Sequence, residues 1–199
     1  SGILYGISVG TNDNVVQGNL VGTDATGLGP LPKESHGVLV GGSSNLVGGT
    51  DPSEANVIAF NDGHGVRVYP GTGHSILGNS IHSNTGVNSQ FIPGNGFGIE
   101  LGYEDEIAIN DPGDPDTGAN NLQNYPVLTA VTGGGASVGG SLNSTPSTQF
   151  SLEFFANTAC DPSGYGEGET FIGSDTVTTD GAGDVSFSSD LDKVVPPGI

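Results

Sequence analysis

The sequence predicts an all-β protein: a right-handed parallel β-helix of about four coils followed by a small antiparallel β-sandwich. A Gly-apolar-x-apolar motif recurs four times, starting at residues 6, 37, 65 and 98. Pairs of turn-type residues five apart flank short apolar segments, as in Asn14 and Asn19, Asn56 and Asn61, Asn79 and Asn84, with His74 and Asn79 as a variant. No stretch carries apolar residues at helical spacing, and the 36 glycines and 12 prolines favour tight turns between short strands.

Each repeated strand is too short to bury its apolar face alone, so stacked coils are expected, with equivalent positions about 4.8 Å apart. Alternation along the strand predicts that the two apolar residues of each motif point inward, from Ile7 and Val9 to Ile99 and Leu101. The residues between them are expected to face out: Ser8, Leu39, Arg67 and Glu100. Asparagine suits the corners because it tolerates left-handed φ and its side-chain amides form ladders between coils.

The domain boundaries follow from breaks in this pattern. The β-helix is predicted over residues 1–110, with loops inserted at 23–35 and 50–55. An acidic linker over 111–125 precedes a sandwich over 126–199 that appears as six short alternating segments. These segments are Pro126–Val131, Ser137–Leu142, Phe150–Ala156, Thr170–Ile172, Ser174–Thr178 and Val185–Ser188.

Three segments of the first half, Asn14–Gly27, Asn45–Thr50 and Asn56–Asn61, resemble bacterial secreted proteins built of parallel β-helix repeats. Such proteins are similar in architecture to pectate lyases and phage tailspikes, and the resemblance covers roughly residues 1–125. Asn121–Leu128 and Leu152–Gly173 resemble the immunoglobulin-like tail that many of them carry. The resemblance implies a fold rather than an activity, and it implies that the sandwich here lacks a closing strand.

The charge of the chain excludes two classes of partner. The net charge is −19 and only three residues are lysine or arginine. Nucleic acids and anionic membranes both require clustered cations, so neither is an expected partner. No apolar run reaches the length of a membrane span. Acidity and scarce lysine favour a secreted or cell-surface protein.

Two sets of residues are candidate sites. Asp111, Asp114, Asp116 and Asn120 offer hard oxygen ligands in a Gly/Pro-rich loop, which suits calcium, although a solvated acidic linker is the simpler interpretation. Each of four ring-bearing residues precedes a repeat glycine, so the rings are expected to stack as an inward-facing ladder: Tyr5, His36, His64 and Phe97.

Arg67 and Glu100 occupy equivalent positions on adjacent coils, where an ion pair is favoured over a catalytic centre.

These observations favour a non-catalytic extracellular structural or surface module with an adhesive or filament-forming role. Its expected partners are copies of itself or the rest of a longer chain, and polysaccharide is a further candidate. No catalytic residue and no cofactor other than calcium is predicted. Two alternatives stay open: a polysaccharide lyase or hydrolase, which needs a cationic or paired-carboxylate centre in a groove, and a carbohydrate-binding module, which needs a row of exposed aromatic rings.

Overall fold

A computed structural model describes residues 5–86, 96–102, 107–132, 137–161 and 164–191. The described part of the first half contains ten short strands, because alternating Val, Ile and Leu are interrupted every few residues by Gly, Asn and Ser turns. They are β1 Ile7–Val9, β2 Val15–Val16, β3 Leu20–Val21, β4 Val38–Val40, β5 Leu46–Gly48, β6 Val57–Ala59, β7 Val66–Val68, β8 Ser75–Leu77, β9 Ser80–His82 and β10 Ile99–Leu101.

All ten strands pair in parallel and form three sheets. Their orders are β1-β4-β7-β10, β2-β5-β8 and β3-β6-β9, so each sheet takes one strand from each successive coil. In the first sheet Ile7 aligns with Val38, then with Val66 and then with Ile99. The repeat glycines that precede these residues therefore also align. The predicted stack of about four parallel coils is confirmed.

One valine-rich core runs through the stack. Val38, Val40, Val66 and Val68 are fully buried, and Ile58 lies beside them on another sheet. The repeat glycine is required where coils pass closely, since a Cβ at position 37 would lie 2.8 Å from the carbonyl oxygen of Gly65. The sequence pattern thus places small residues where backbones meet and branched residues where side chains fill the axis.

In the described ranges the fourth coil contributes only β10, and the burial of its residues departs from what alternation predicts. Ile99 is 45% exposed although it aligns with the buried Val66, and Glu100 is only 2% exposed although it aligns with Arg67. The register keeps each residue on its predicted face, so what differs from the expectation is the burial of the two side chains. Burial of Glu100 is compensated by Arg67 and His64 of the preceding coil, which contact its carboxylate. Ile99 lies on the outermost strand of its sheet, where no further coil in the described ranges covers it.

Between residues 107 and 191, in the ranges that the structure describes, the second half contains five antiparallel strands: β11 Val127–Thr132, β12 Ser137–Asn143, β13 Gln149–Ala156, β14 Thr170–Thr178 and β15 Asp184–Asp190. β11-β12-β15 form one sheet and β13-β14 the other, and a second apolar core between them includes Leu142, Phe154 and Phe187. The predicted segments Thr170–Ile172 and Ser174–Thr178 form a single strand, because β14 runs unbroken through Gly173. A short 3-10 segment, Ala119–Leu122, lies between the two halves.

Replacing Val66 with Asp tests the core. V66D places a carboxylate in a dry apolar site without a partner, so the coil stack is expected to lose its cooperative thermal transition. V15D introduces the same charge at a position that is 60% exposed and is expected to melt close to the natural chain. Circular dichroism melting of both variants measures the difference. Equal melting temperatures would contradict the assigned core.

Candidate functional site

Four rings that precede the repeat glycines form a continuous stack. Ring centroids are 5.9 Å apart between Tyr5 and His36, 5.1 Å between His36 and His64, and 5.2 Å between His64 and Phe97. The planes of the last two pairs are within 6° of parallel. The backbone N–H groups of His64 and Phe97 also donate to Nδ1 of the preceding histidine ring, at 3.1 and 2.9 Å. The stack therefore links coils by both ring contacts and hydrogen bonds.

This ring stack is dry. His64 is fully buried, Phe97 is 6% exposed and His36 is 9% exposed, while Tyr5 at the first coil is partly buried. A carbohydrate-binding module needs ring faces that are open to a sugar, and here the faces contact each other. The arrangement does not support sugar binding along this row.

A charged cluster lies against the ring stack. Nε of Arg67 is 2.9 Å from Oε2 of Glu100, and Nε2 of His64 is 3.4 Å from the same oxygen. Arg67 also donates from Nε to the carbonyl of Gly102 at 3.0 Å, and its NH1 is 3.1 Å from Nε2 of His36. Arg67 is therefore bound on several sides by its own chain. A uronate substrate would have to break these contacts, at the cost of leaving Glu100 buried without its partner.

The three aspartates of the predicted metal site are together. One carboxylate oxygen from each of Asp111, Asp114 and Asp116 lies within 4.8 Å of the other two. Asn124, which is 3% exposed, fixes the loop by donating its backbone N–H to Asp114 and its side-chain amide to the carbonyl of Asp111. Ser144 donates a short hydrogen bond to Asp114. Oδ1 of Asp111 and Oδ1 of Asp116 are buried and accept no hydrogen bond from the described residues.

Burial, and then the neighbouring charges of Asp111 and Asp114, raise the pKa of the Asp116 carboxyl. Asn120, the fourth ligand predicted from the sequence, is engaged elsewhere. Its Oδ1 accepts the backbone N–H of His74 at 2.9 Å and its Nδ2 donates to the carbonyl of His74 at 3.1 Å. Its amide oxygen therefore accepts a hydrogen bond from the third coil, and among the described residues the candidate metal ligands are the three aspartates alone.

Side-chain amides connect the corners of successive coils. At each step, the backbone N–H and Nδ2 of one asparagine both donate to Oδ1 of the asparagine on the next coil. Asn14 donates to Asn45 at 2.8 and 2.9 Å. Asn19 donates to Asn56 and Asn56 to Asn79, at 2.8 to 3.1 Å. All these bonds point the same way along the axis, so the ladders have a direction.

At the first coil, the asparagine Oδ1 atoms can accept hydrogen bonds but have no preceding coil in the described ranges to accept them from. We call this the acceptor end of the ladders, and the opposite end, where asparagine donors need an acceptor, the donor end. No residue in the described part of the chain donates to the Oδ1 atoms of Asn14 and Asn19, which precede all other members. Val15 and Leu20, beside them, are 60% and 46% exposed. This end of the stack therefore combines amide acceptors with exposed apolar side chains.

The donor end of the ladders is the third coil, the last one that contributes a strand to all three sheets in the described residues, and the second half of the chain contacts it. The backbone N–H and Nδ2 of Asn84 donate to Oε1 of Glu167 at 3.2 and 3.0 Å. The N–H of Gly78 donates to Oε2 of Glu153 at 2.8 Å. Ile81 and Gly168 exchange both backbone hydrogen bonds, each at 2.7 Å. Sequence reasoning missed these contacts, because no local pattern in the β13–β14 connection indicates what it packs against.

Burial raises the pKa of the Glu167 carboxyl to about 7. The nearby negative charge of Asp161 acts in the same direction, while the hydrogen bonds from Asn84 and from the backbone of Ser83 oppose it. Burial likewise raises the pKa of Glu153. Burial lowers the pKa of His74, which keeps its ring neutral, so that Nδ1 accepts the N–H of Asn45 at 3.2 Å.

Comparison with known proteins adds no family to this description. No protein-family model matches the chain, and no curated protein matches it. What the structure shows of the predicted resemblance is its coarse part, an all-β chain with stacked parallel sheets. In the part of the chain that the structure describes, no helix has the length and apolar character to cross a membrane.

The Glu167 pKa predicts a pH dependence. Between the ordinary value of 4.5 and about 7, the folded protein holds a proton at Glu167 that the unfolded chain has released. The contribution of Glu167 to the free energy of unfolding is fully present below pH 4.5 and is lost as the pH rises through 7. The loss amounts to about 3 kcal/mol. The free energy of unfolding, measured in urea at several pH values, is expected to fall across this window more in the natural chain than in E167Q. The same pH dependence of the free energy of unfolding in the natural chain and in E167Q would contradict a raised pKa of Glu167.

Proposed function

We propose that this chain is a non-catalytic structural module of the extracellular space or cell surface, joined to another parallel β-coil at its first-coil end. The observation that carries the proposal is the direction of the amide ladders, which leaves Oδ1 of Asn14 and Asn19 as acceptors at that end. A further coil of the same repeat would present a backbone N–H and an amide NH₂ to each of them. Such a coil belongs either to another copy or to the rest of a longer chain.

The charges of the coil stack support a structural role over a catalytic one. Lyase chemistry on uronates needs a base and a cation that neutralises the substrate carboxylate. Arg67 is paired with Glu100, and the nearby His64 and His36 rings accept backbone hydrogen bonds within the ring stack. These groups hold adjacent coils together, and of the four only Glu100 lines the cavity of about 1100 Å³ between the coil stack and the second half. The secreted location rests on composition: the net charge of −19 and the three basic residues.

The joining surface is tested by adding a coil. A copy of residues 37–64 is inserted between Tyr5 and Gly6, so that the copied asparagines from positions 45 and 56 lie over Asn14 and Asn19. The double substitution N14A/N19A is made in both the natural and the extended chain. Because only the extended chain supplies donors to the two Oδ1 atoms, the substitution is expected to cost about 2 kcal/mol more there. Urea denaturation measures both costs.

An equal cost of N14A/N19A in the two chains would contradict joining through these acceptors. The natural chain, screened on acidic polysaccharides, is expected to give no product. Reproducible turnover would contradict the non-catalytic assignment, whatever the added coil does.

The immunoglobulin-like character of the second half is part of the same proposal, supported by its two packed antiparallel sheets.

We further propose that Asp111, Asp114 and Asp116 bind calcium and brace the junction between the two halves. The support is the pair of buried carboxylate oxygens on Asp111 and Asp116 without a hydrogen-bond donor among the described residues. Three carboxylates in a loop are the oxygen ligands that calcium takes, and the cation would offset their mutual repulsion. Residues of the linker and of β12 hold the loop, so the ion would tie these segments together.

Calcium binding has a direct thermal test. Chelator is expected to lower the melting temperature of the natural chain and excess calcium to restore it, because a ligand of the folded state adds stability by mass action. D116N is expected to lose most of this response, whereas D190N, on β15 away from the three aspartates, keeps it. A melting temperature that is indifferent to chelator and calcium would remove the site.

A further inference from the structure

The contacts at the third coil repeat the geometry of the amide ladders. Asn61 donates its N–H and Nδ2 to a single oxygen, Oδ1 of Asn84, at 3.2 and 2.9 Å. Asn84 donates the same two groups to a single oxygen, Oε1 of Glu167, at 3.2 and 3.0 Å. The carboxylate oxygen of Glu167 thus occupies the place that the amide oxygen of a next-coil asparagine would take.

The ladder that begins at Asn14 ends in a similar way. Asn45 donates to Nδ1 of His74 on the third coil. The N–H of His74 then donates to Oδ1 of Asn120, which lies in the short segment between the two halves. Here an amide oxygen from outside the repeat again takes the acceptor position of a following coil.

Backbone groups of the third coil also form hydrogen bonds with the second half of the chain. Glu153 of β13 accepts the N–H of Gly78, and Gly168 pairs with Ile81 as a strand of a following coil would, although in the antiparallel sense. Ser80 donates its hydroxyl to the carbonyl of Glu169 at 2.6 Å. Donors from three corners of the third coil are therefore met by residues far away in the sequence.

We infer that the C-terminal β-domain, together with the Ala119–Leu122 segment before it, is the terminating cap of the coil stack, in which Glu167, Glu153 and Asn120 replace the acceptors of a further coil. This rests on the structural role proposed above and adds a direction to it: coils can be added at the acceptor end, whereas the second half of the chain occupies the donor end. Solenoids need such caps because an open coil exposes unpaired backbone groups and apolar core, both of which promote association.

The connection between β13 and β14 is built to hold this cap in place. Nδ2 of Asn157 donates to the carbonyl of Glu167 and its Oδ1 accepts the N–H of Glu169, both at 2.7 Å. Thr158 donates its N–H and hydroxyl to the Glu169 carboxylate at 2.8 and 2.9 Å. Tyr165 packs edge-on against Phe97, at 6.3 Å between centroids, and so joins the connection to the ring stack. Burial of the Glu167 side chain at this contact raises the pKa of its carboxyl.

Hydrogen exchange of the full-length chain tests the cap. E167A removes the acceptor, and the amide of Asn84 is expected to exchange at least about tenfold faster than in the natural chain, because local opening no longer breaks that bond. E167Q keeps an oxygen at the same place and is expected to retain protection within about threefold. D190A removes an exposed acid from β15 and is the matched control.

The pattern of exchange decides the outcome. Faster exchange at Asn84 and its neighbours in E167A, with the amides of Val38–Val40 unchanged, supports the cap. If E167A fails to fold, a folded E167Q with natural protection at Asn84 supports it equally. Exchange at Asn84 that is the same in E167A and D190A, or lost equally in E167A and E167Q, would overturn it. The added-coil experiment reads the opposite end of the stack, so either proposal can fail without the other.

Discussion

A coil made of two- and three-residue strands cannot satisfy its own polar groups, and this constraint governs the rest of the structure. Every backbone N–H and carbonyl along the axis must find its partner on the coil before or after. Asparagine extends the same rule to side chains: Asn56 gives two donors to Asn79 on the next coil and receives two from Asn19 on the coil before. Stacking is therefore directional, and the two ends are chemically different.

The same constraint explains where the charged groups lie. The coil stack is narrow, so residues beside its core are only partly shielded unless they contact one another. Arg67 and Glu100 pair across adjacent coils, and His64 joins them while stacking on two other rings. Burying these groups is costly, and the close contacts offset the cost. Such a cluster is better suited to fixing the register between coils than to binding a substrate.

The difference between the ends gives the second half of the chain a role. Its two sheets have their own apolar core, so it does not depend on the stack for burial. It nevertheless places carboxylate, amide and backbone acceptors against the third coil, where donors would otherwise be unpaired. Desolvation at this contact raises the pKa values of Glu153 and Glu167, which links the stability of the junction to pH.

The sequence by itself determined the stacked coils and the alignment of residues such as His36 and His64, because both depend on the period of the repeat. It also determined the closeness of the three aspartates, because that depends on their local spacing. Only the tertiary structure decided the burial of Glu100, the contact of Asn120 with His74 and the contact of Glu167 with Asn84. These depend on which distant segment covers the end of the stack. Burial inferred from alternation assumes a neighbouring coil on both sides. It therefore fails at an end, where partners come from residues separated by tens of positions and carry no periodic signal.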